Sequence, residues 1–195
     1  MSSQPLSPEQ IRRAPKDGGP SFGMGNRLVR LAWMLTWFSL AAWTPTPLHA
    51  WRRFLLRLFG ARMGERSDVR GSARVWLPSN LVMEAHAVIG PGVNCYNQAT
   101  IHLGRWALVS QGAHLCAGTH DIDREDFPLI ARPIHIGAHS WIAAEAFVGP
   151  GAQVAEGVVL GARAVLFGRT EAWGVYAGNP ARFIRERRWR PVVLG

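Results

Sequence analysis

Lysine, cysteine and long apolar runs are all scarce in this 195-residue chain, and each scarcity excludes something. Lys16 is the only lysine among 22 basic residues, so the cation on offer is almost everywhere the guanidinium, a group suited to phosphate. Cys95 and Cys116 are the only cysteines, which leaves no disulfide framework and no zinc pattern; a reducing cytosol fits. The uncharged run from Leu31 to Trp43 falls short of the roughly 20 residues of a membrane span. Extending it meets Arg30 on one side and Pro45, Pro47 and His49 on the other. The first twenty residues are polar and proline-rich, with no apolar core of a signal peptide. What is present is 48% apolar and 18% charged residues, enough to bury a core and unlike a disordered or collagen-like chain.

The formal charge of +9 invites a nucleic-acid reading, but its distribution argues against one. Residues 1–70 carry 11 basic and 4 acidic side chains, residues 71–181 carry 6 and 8, and residues 182–195 carry 5 and 1. The middle is slightly acidic and the basicity sits at the two ends, so no single basic groove runs across the fold. Residues 1–26, rich in Ser, Pro and Gly, read as a flexible arm. Residues 27–64 read as an amphipathic helical segment. Within it, LHAWRRFLLRLF (48–59) sets Trp51, Leu55, Leu58 and Phe59 on one helical face with Arg52, Arg53 and Arg57 interleaved. Such a segment packs on the main domain or a neighbouring subunit, or makes peripheral contact with an anionic membrane through residues 27–60.

From about residue 71 the chain repeats with a period of six. LPSNLV, MEAHAV, IGPGVN and CYNQAT begin at 77, 83, 89 and 95; the phase slips at Ile101-His102 and resumes with LGRWAL, VSQGAH and LCAGTH. DIDREDFPLIARPIH (121–135) interrupts, and the period returns with IGAHSW, IAAEAF, VGPGAQ, VAEGVV, LGARAV and LFGRTE. Six is neither the helical period nor strict strand alternation. It predicts an all-β solenoid of short strands and tight corners, each coil burying its inward side chains on its neighbours. Gly90, Gly104, Gly137, Gly149 and Gly161 recur at the second position, where a corner tolerates little bulk and unusual φ angles favour glycine.

The run resembles the left-handed parallel β-helix of the hexapeptide-repeat acyltransferases, in which three hexapeptides make one triangular coil. PLHAWRRFLLRLFGARMG (47–64), GPGVNCYNQATIHLG (90–104), VSQGAHLCAGTHD (109–121), the segment 127–152 and AGNPARFI (177–184) carry a closer resemblance. It is to the colanic-acid-biosynthesis-type O-acetyltransferases, relatives of the maltose and nodulation-factor enzymes. The resemblance implies a solenoid of four to five coils over 65–181 with an extruded loop at 121–135. It also implies a short C-terminal helix leading into a basic tail (182–195), a homotrimer with active sites between subunits, and acetyl-CoA as donor without a metal. The acceptor would be a sugar or lipid-linked saccharide, in exopolysaccharide or lipopolysaccharide assembly at the inner face of the plasma membrane.

The resemblance also assigns roles. His120 would be the general base, since an imidazole titrates near neutrality and can take a hydroxyl proton and pass it to the departing thiolate. Asp121 would orient the imidazole or hold the acceptor, with Asp123 able to do either; both also fit as surface carboxylates of the loop. Asn97 matches an asparagine facing the acceptor, or else a residue stacked within the helix. The acidic residue that follows it in related enzymes is replaced here by the segment Ala99-Thr100-Ile101-His102. Trp141, Ala144, Gly161, Ala162, Arg182 and Arg185 match coenzyme-binding positions, although a Thr-Lys pair is replaced by Phe167-Gly168 and Arg163 or Arg169 would have to substitute. One inference comes from the period alone: His102 precedes His120 by one 18-residue coil and would stack beside it, unless the phase slip at 101–102 moves the edge. A zinc site of the carbonic-anhydrase kind needs three convergent imidazoles, and the histidine spacing matches none. An acetyltransferase for a small soluble acceptor and a non-catalytic scaffold are the competing readings.

Overall fold

The computed structural model describes residues 22–190. Three parallel sheets wind into a triangular prism of about six turns, the left-handed β-helix expected from the period of six. The first face holds Arg62–Met63, Leu81–Met83, Ile101–Leu103, Ile134–Ile136 and Gln153–Val154. The second holds Asp68–Val69, Val88–Ile89, Leu108–Val109, Trp141–Ile142, Val159–Leu160 and Gly174–Ala177; the third holds Arg74–Val75, Asn94–Tyr96, His114–Cys116, Phe147–Val148 and Val165–Leu166. Each face points one ladder inward, such as Met63, Met83, Leu103, Ile136 and Val154, all buried. Because strands alternate sides, the next residue of each strand faces out, and the period of six is the sum of a short strand and a corner.

The solenoid has more turns than the four to five expected. The first coil begins at Arg62, in a stretch whose repeat is masked by Arg, Glu, Ser and Asp. The second-position glycines serve close approach, not positive φ. A Cβ on Gly137 would lie 2.6 Å from the Glu156 nitrogen, and one on Gly104 2.5 Å from the Ala138 nitrogen. The left-handed corner positions are shared by other glycines, such as Gly92 and Gly112 with φ of 65° and 67°, and by non-glycines, among them His86, Trp106 and His139 with φ of 61°, 60° and 57°.

Two helices, α1 (Met24–Leu40) and α2 (His49–Leu58), close the open end of the prism. Along the ladders, N–H groups such as those of Asp68 and Arg70 donate to carbonyls of the following coil, at Ala87 and Ile89, while corner N–H groups such as that of His86 donate back to the preceding one, at Glu65. The carbonyls of the first coil therefore have no strand before them, and buried polar groups of that kind need partners. The helices supply them. Trp33 and Trp37 donate their indole N–H to Val75 (2.7 Å) and Gly71 (3.0 Å). Arg52 Nε donates to Val69 (2.8 Å), Arg53 to Ser67 (3.2 Å), and Arg57 to Met63. Arg52 is fully buried, and its remaining donors reach Asp68 Oδ1 (3.1 Å), Thr44 Oγ1 (2.9 Å) and the carbonyls of Pro45 and Thr46. The face of α2 is accordingly rotated from the expected one: Arg52, Leu55 and Leu56 are buried, and Trp51 and Leu58 are exposed.

At the other end no short C-terminal helix forms among the described residues. Arg182–Glu186 is a strand that folds back antiparallel on Gly174–Ala177, because the last coil's edge on the second face offers an unpaired ladder. The arm anticipated over 1–26 lies outside the described residues for 1–21, and α1 already starts at Met24.

Candidate active site

The interruption of the repeat is a hairpin extruded from the corner between the third and first faces. Gly118–His120 pairs antiparallel with Leu129–Ala131. Asp121 N donates to the Pro128 carbonyl (3.0 Å) and closes the loop. Opposite the hairpin base stands Gln98. A Cβ on Gly118 would lie 1.7 Å from Gln98 Oε1, so a larger residue there would push the Gln98 carboxamide out of its place.

His120 Nδ1 lies 2.7 Å from the Phe127 carbonyl oxygen. A carbonyl only accepts, so Nδ1 carries the proton in that bond. The neutral imidazole then keeps its lone pair on Nε2. The ring lines a cavity of about 320 Å³ together with Arg27, Arg30, Trp76, Tyr96, Gln98 and Leu129. Gln98 Nε2 donates to the Tyr96 hydroxyl (2.8 Å), and Gln98 Oε1 is buried without a hydrogen-bond partner among the described residues. Burial raises the Tyr96 phenol above its ordinary range, so it enters the cavity as a neutral hydroxyl.

Several expected residues stand elsewhere. Asn97 does not face the cavity. It is fully buried in the coil, its Oδ1 accepting from Leu77 N (3.0 Å) and its Nδ2 donating to Leu77 O (2.6 Å). Alternation along the chain gives the cavity Gln98 instead. Asp121 does not orient the imidazole; Phe127 holds Nδ1, and Asp121 Oδ1 accepts from Asp123 N (3.2 Å) within the loop. Asp123 lies exposed in that loop. His102 is paired not with His120 but with His135, their rings 4.7 Å apart and 4° from parallel, because the hairpin lies between consecutive strands of the first face. His102 Nε2 lies 3.2 Å from Glu84 Oε1, and its Nδ1 is buried without a partner among the described residues.

The residues expected to bind the coenzyme gather on a different side. Trp141, Val159, Val175 and Arg185 are in register across the second face, Arg182 pairs with Ala177, and Arg163 N donates to Ala144 O (2.9 Å) at the adjoining corner beside Ala162. Gly161 N donates to Tyr176 O (2.8 Å) on the same run. Trp141 is half-exposed, its indole N–H held by Ser110 Oγ (2.9 Å); Arg182 and Arg185 are exposed on their strand. Arg163 is engaged by Glu145 at 2.6 Å. None of these residues lines the His120 cavity. Among the described residues no cluster of three metal-ligating side chains occurs.

A hexapeptide prism with a histidine-bearing hairpin defines the class of hexapeptide-repeat acyltransferases, and the comparisons narrow it. No family model matches the chain. The colanic acid biosynthesis acetyltransferase WcaF of Escherichia coli K12 is 39% identical over 166 residues, 85% of this chain and 91% of that protein. Among solved structures, a maltose O-acetyltransferase of Clostridium difficile superposes with a TM-score of 0.71 at 18% identity, covering 92% of this chain and 100% of the other. The hexapeptide-repeat acetyltransferase VCA0836 of Vibrio cholerae, solved with acetyl-CoA, gives 0.70 at 18% identity, over 88% and 95%. The chain belongs to the colanic-acid-biosynthesis-type branch of the hexapeptide-repeat acetyltransferases.

Proposed function

We propose that the protein transfers an acetyl group from acetyl-CoA to a sugar hydroxyl in polysaccharide assembly, with His120 as general base. The observation that carries this reading is the Nδ1 bond to the Phe127 carbonyl, which fixes the tautomer with Nε2 facing the cavity. Nε2 takes the proton of the hydroxyl as its oxygen attacks the thioester carbon. The C–S bond then breaks, and the imidazolium returns the proton to the thiolate, giving the O-acetyl sugar and CoA. Gln98 and the Tyr96 hydroxyl supply hydrogen bonds to the acceptor. Trp141, Ala144, Gly161, Ala162, Arg182 and Arg185 form the donor wall, with the exposed guanidiniums on the coenzyme phosphates. Because base and wall stand on separate sides of one chain, the complete site needs His120 of one subunit against the second face of the next, and a trimer of prisms closes three such sites.

The acceptor is handled at a membrane surface. Leu28, Leu31, Leu35 and Phe38 of α1 and Phe54 and Leu58 of α2 are exposed, an apolar area beyond what a soluble face carries without purpose. Incubating the protein with acetyl-CoA and a panel of free, nucleotide-linked and lipid-linked sugars, with thiol release as the readout, tests the activity. His120→Ala is expected to lower kcat by about 10²–10⁴-fold with acetyl-CoA binding retained. An equally active His120→Ala protein would falsify the mechanism.

A further inference from the structure

The last strand, Arg182–Glu186, lies at the edge of the second face, paired on one side only, with all five residues exposed. Its pairing with Gly174–Ala177 contains a β-bulge. Ala177 is opposite Arg182, Tyr176 opposite Phe183 and Val175 opposite Arg185, so Ile184 has no partner of its own. The bulge decides where the arginines point. Residues three apart on a regular strand face opposite sides of the sheet. Here Arg182 and Arg185 stand against Ala177 and Val175, which are two apart and both on the outer side, while Tyr176 between them is buried. The extra residue therefore brings both guanidiniums onto the side that carries Trp141. Among the described residues neither arginine is ion-paired with a carboxylate.

An edge strand near a chain end keeps one register only where something ties it down. Directly after Glu186 the chain crosses the corner between the first and second faces. Arg187 N donates to Trp173 O (2.6 Å), and the Arg187 guanidinium donates to the carbonyls of His139 (2.7 Å) and Gly157 (2.9 Å). The same guanidinium lies over the Trp189 ring, 4.6 Å from its centroid. Trp189 packs in turn on His139 and Trp173, with ring centroids 5.6 and 5.4 Å apart. Gly157 leaves the room for this, since a Cβ there would lie 2.3 Å from the Trp173 ring. If the strand straightened, Ile184 would oppose Val175 and Arg185 would turn inward opposite Gly174. The chain beyond would advance by one residue, about 3.3 Å, and Arg187 would lose both carbonyls. We infer that Arg187 and Trp189 are positioning residues, a clasp that keeps the bulge at Ile184 and so holds Arg182 and Arg185 together on the donor side. Their effect on coenzyme affinity runs through those two arginines. This rests on the donor wall proposed above and adds what keeps it in shape.

The test measures binding of CoA to the full chain by calorimetry at low and at high salt. Wild-type affinity is expected to fall as salt rises, because contacts between guanidinium and phosphate are screened. Arg182→Gln/Arg185→Gln sets the reference for losing those contacts, with affinity about tenfold weaker at low salt and little salt dependence left. Arg187→Met and Trp189→Ala are each expected to weaken CoA by about fivefold or more at low salt and to flatten the salt dependence, although Trp189→Ala removes no charge. Arg188→Gln, at an exposed position inside the same segment, is expected to bind as the wild type does. Wild-type affinity in Arg187→Met and Trp189→Ala, beside a weakened Arg182→Gln/Arg185→Gln, overturns the clasp and leaves the donor wall standing. Unchanged affinity in Arg182→Gln/Arg185→Gln overturns the donor wall and the clasp with it. A loss in the clasp variants that keeps the wild-type salt dependence shows a general loss of structure, and an equal loss in Arg188→Gln shows an effect of overall charge; either also overturns the proposal.

Discussion

At the scale of single residues, the histidines show how one side chain takes different roles. His120 is held by a backbone carbonyl on a hairpin, whereas His102 and His135 are stacked on the flat first face. Burial lowers the His135 pKa first, the neighbouring His102 lowers it further, and Glu84 opposes both. Burial alone lowers that of His114, whose Nε2 lies 3.2 Å from the Asn94 amide. With folded-state values below the unfolded value of about 6.5, the unfolded chain binds more protons as pH falls. The stability these groups contribute is therefore complete above about pH 6.5 and is lost as pH falls through the lowered folded-state values. We expect the melting temperature to fall between pH 7 and 5, and the double variant His114→Asn/His135→Asn to flatten that fall. An identical pH profile in the double variant would show that other groups control it.

At the scale of elements, α1 and α2 are a cap. A solenoid needs terminal elements that satisfy the outermost coil, and here five side-chain donors meet five first-coil carbonyls. This also explains why arginines interleave with apolar residues along α2. The interleaving reads equally well as a membrane-facing helix, since a guanidinium serves a lipid phosphate or a backbone carbonyl, and periodicity does not tell which. Arg52 is the test of the cap. Arg52→Met should destabilise the fold by about 3–5 kcal/mol, because it takes the donor from the Val69, Pro45 and Thr46 carbonyls and leaves the largely buried Asp68 to Arg70 alone. Chemical denaturation reads this directly, and a loss below about 1 kcal/mol would show that the cap contributes little.

At the scale of the whole molecule, the +9 charge resolves into separate uses. Part of the N-terminal cluster is internal, bonded to the first coil; Arg27 and Arg30 line the His120 cavity; and Arg182 and Arg185 are exposed on the final strand. Among the described residues no helix is long and apolar enough to cross a membrane. On the proposed membrane reading, the exposed side chains of α1 and α2 would lie in the plane of the bilayer surface. Co-sedimentation with anionic vesicles should be lost in Phe38→Glu/Leu58→Glu and should weaken only modestly with salt, since most α2 arginines are occupied. Retention in the double variant would assign those residues to contact between subunits.

The sequence by itself determined the solenoid and the place where a loop leaves it. A period of six allows one way of burying its apolar positions, and an interruption bearing a histidine has to leave the prism. Tertiary structure alone decided whether Asn97 or Gln98 faces the His120 cavity, because a shift of one residue exchanges inside for outside. It also decided that His102 pairs with His135, since an extruded segment breaks the equality between sequence separation and coil spacing. The His120 cavity was likewise invisible in the chain. Its walls come from α1, two coils and the hairpin, far apart in sequence, and only their packing against one another brings Arg27, Arg30, Tyr96 and Gln98 around the imidazole.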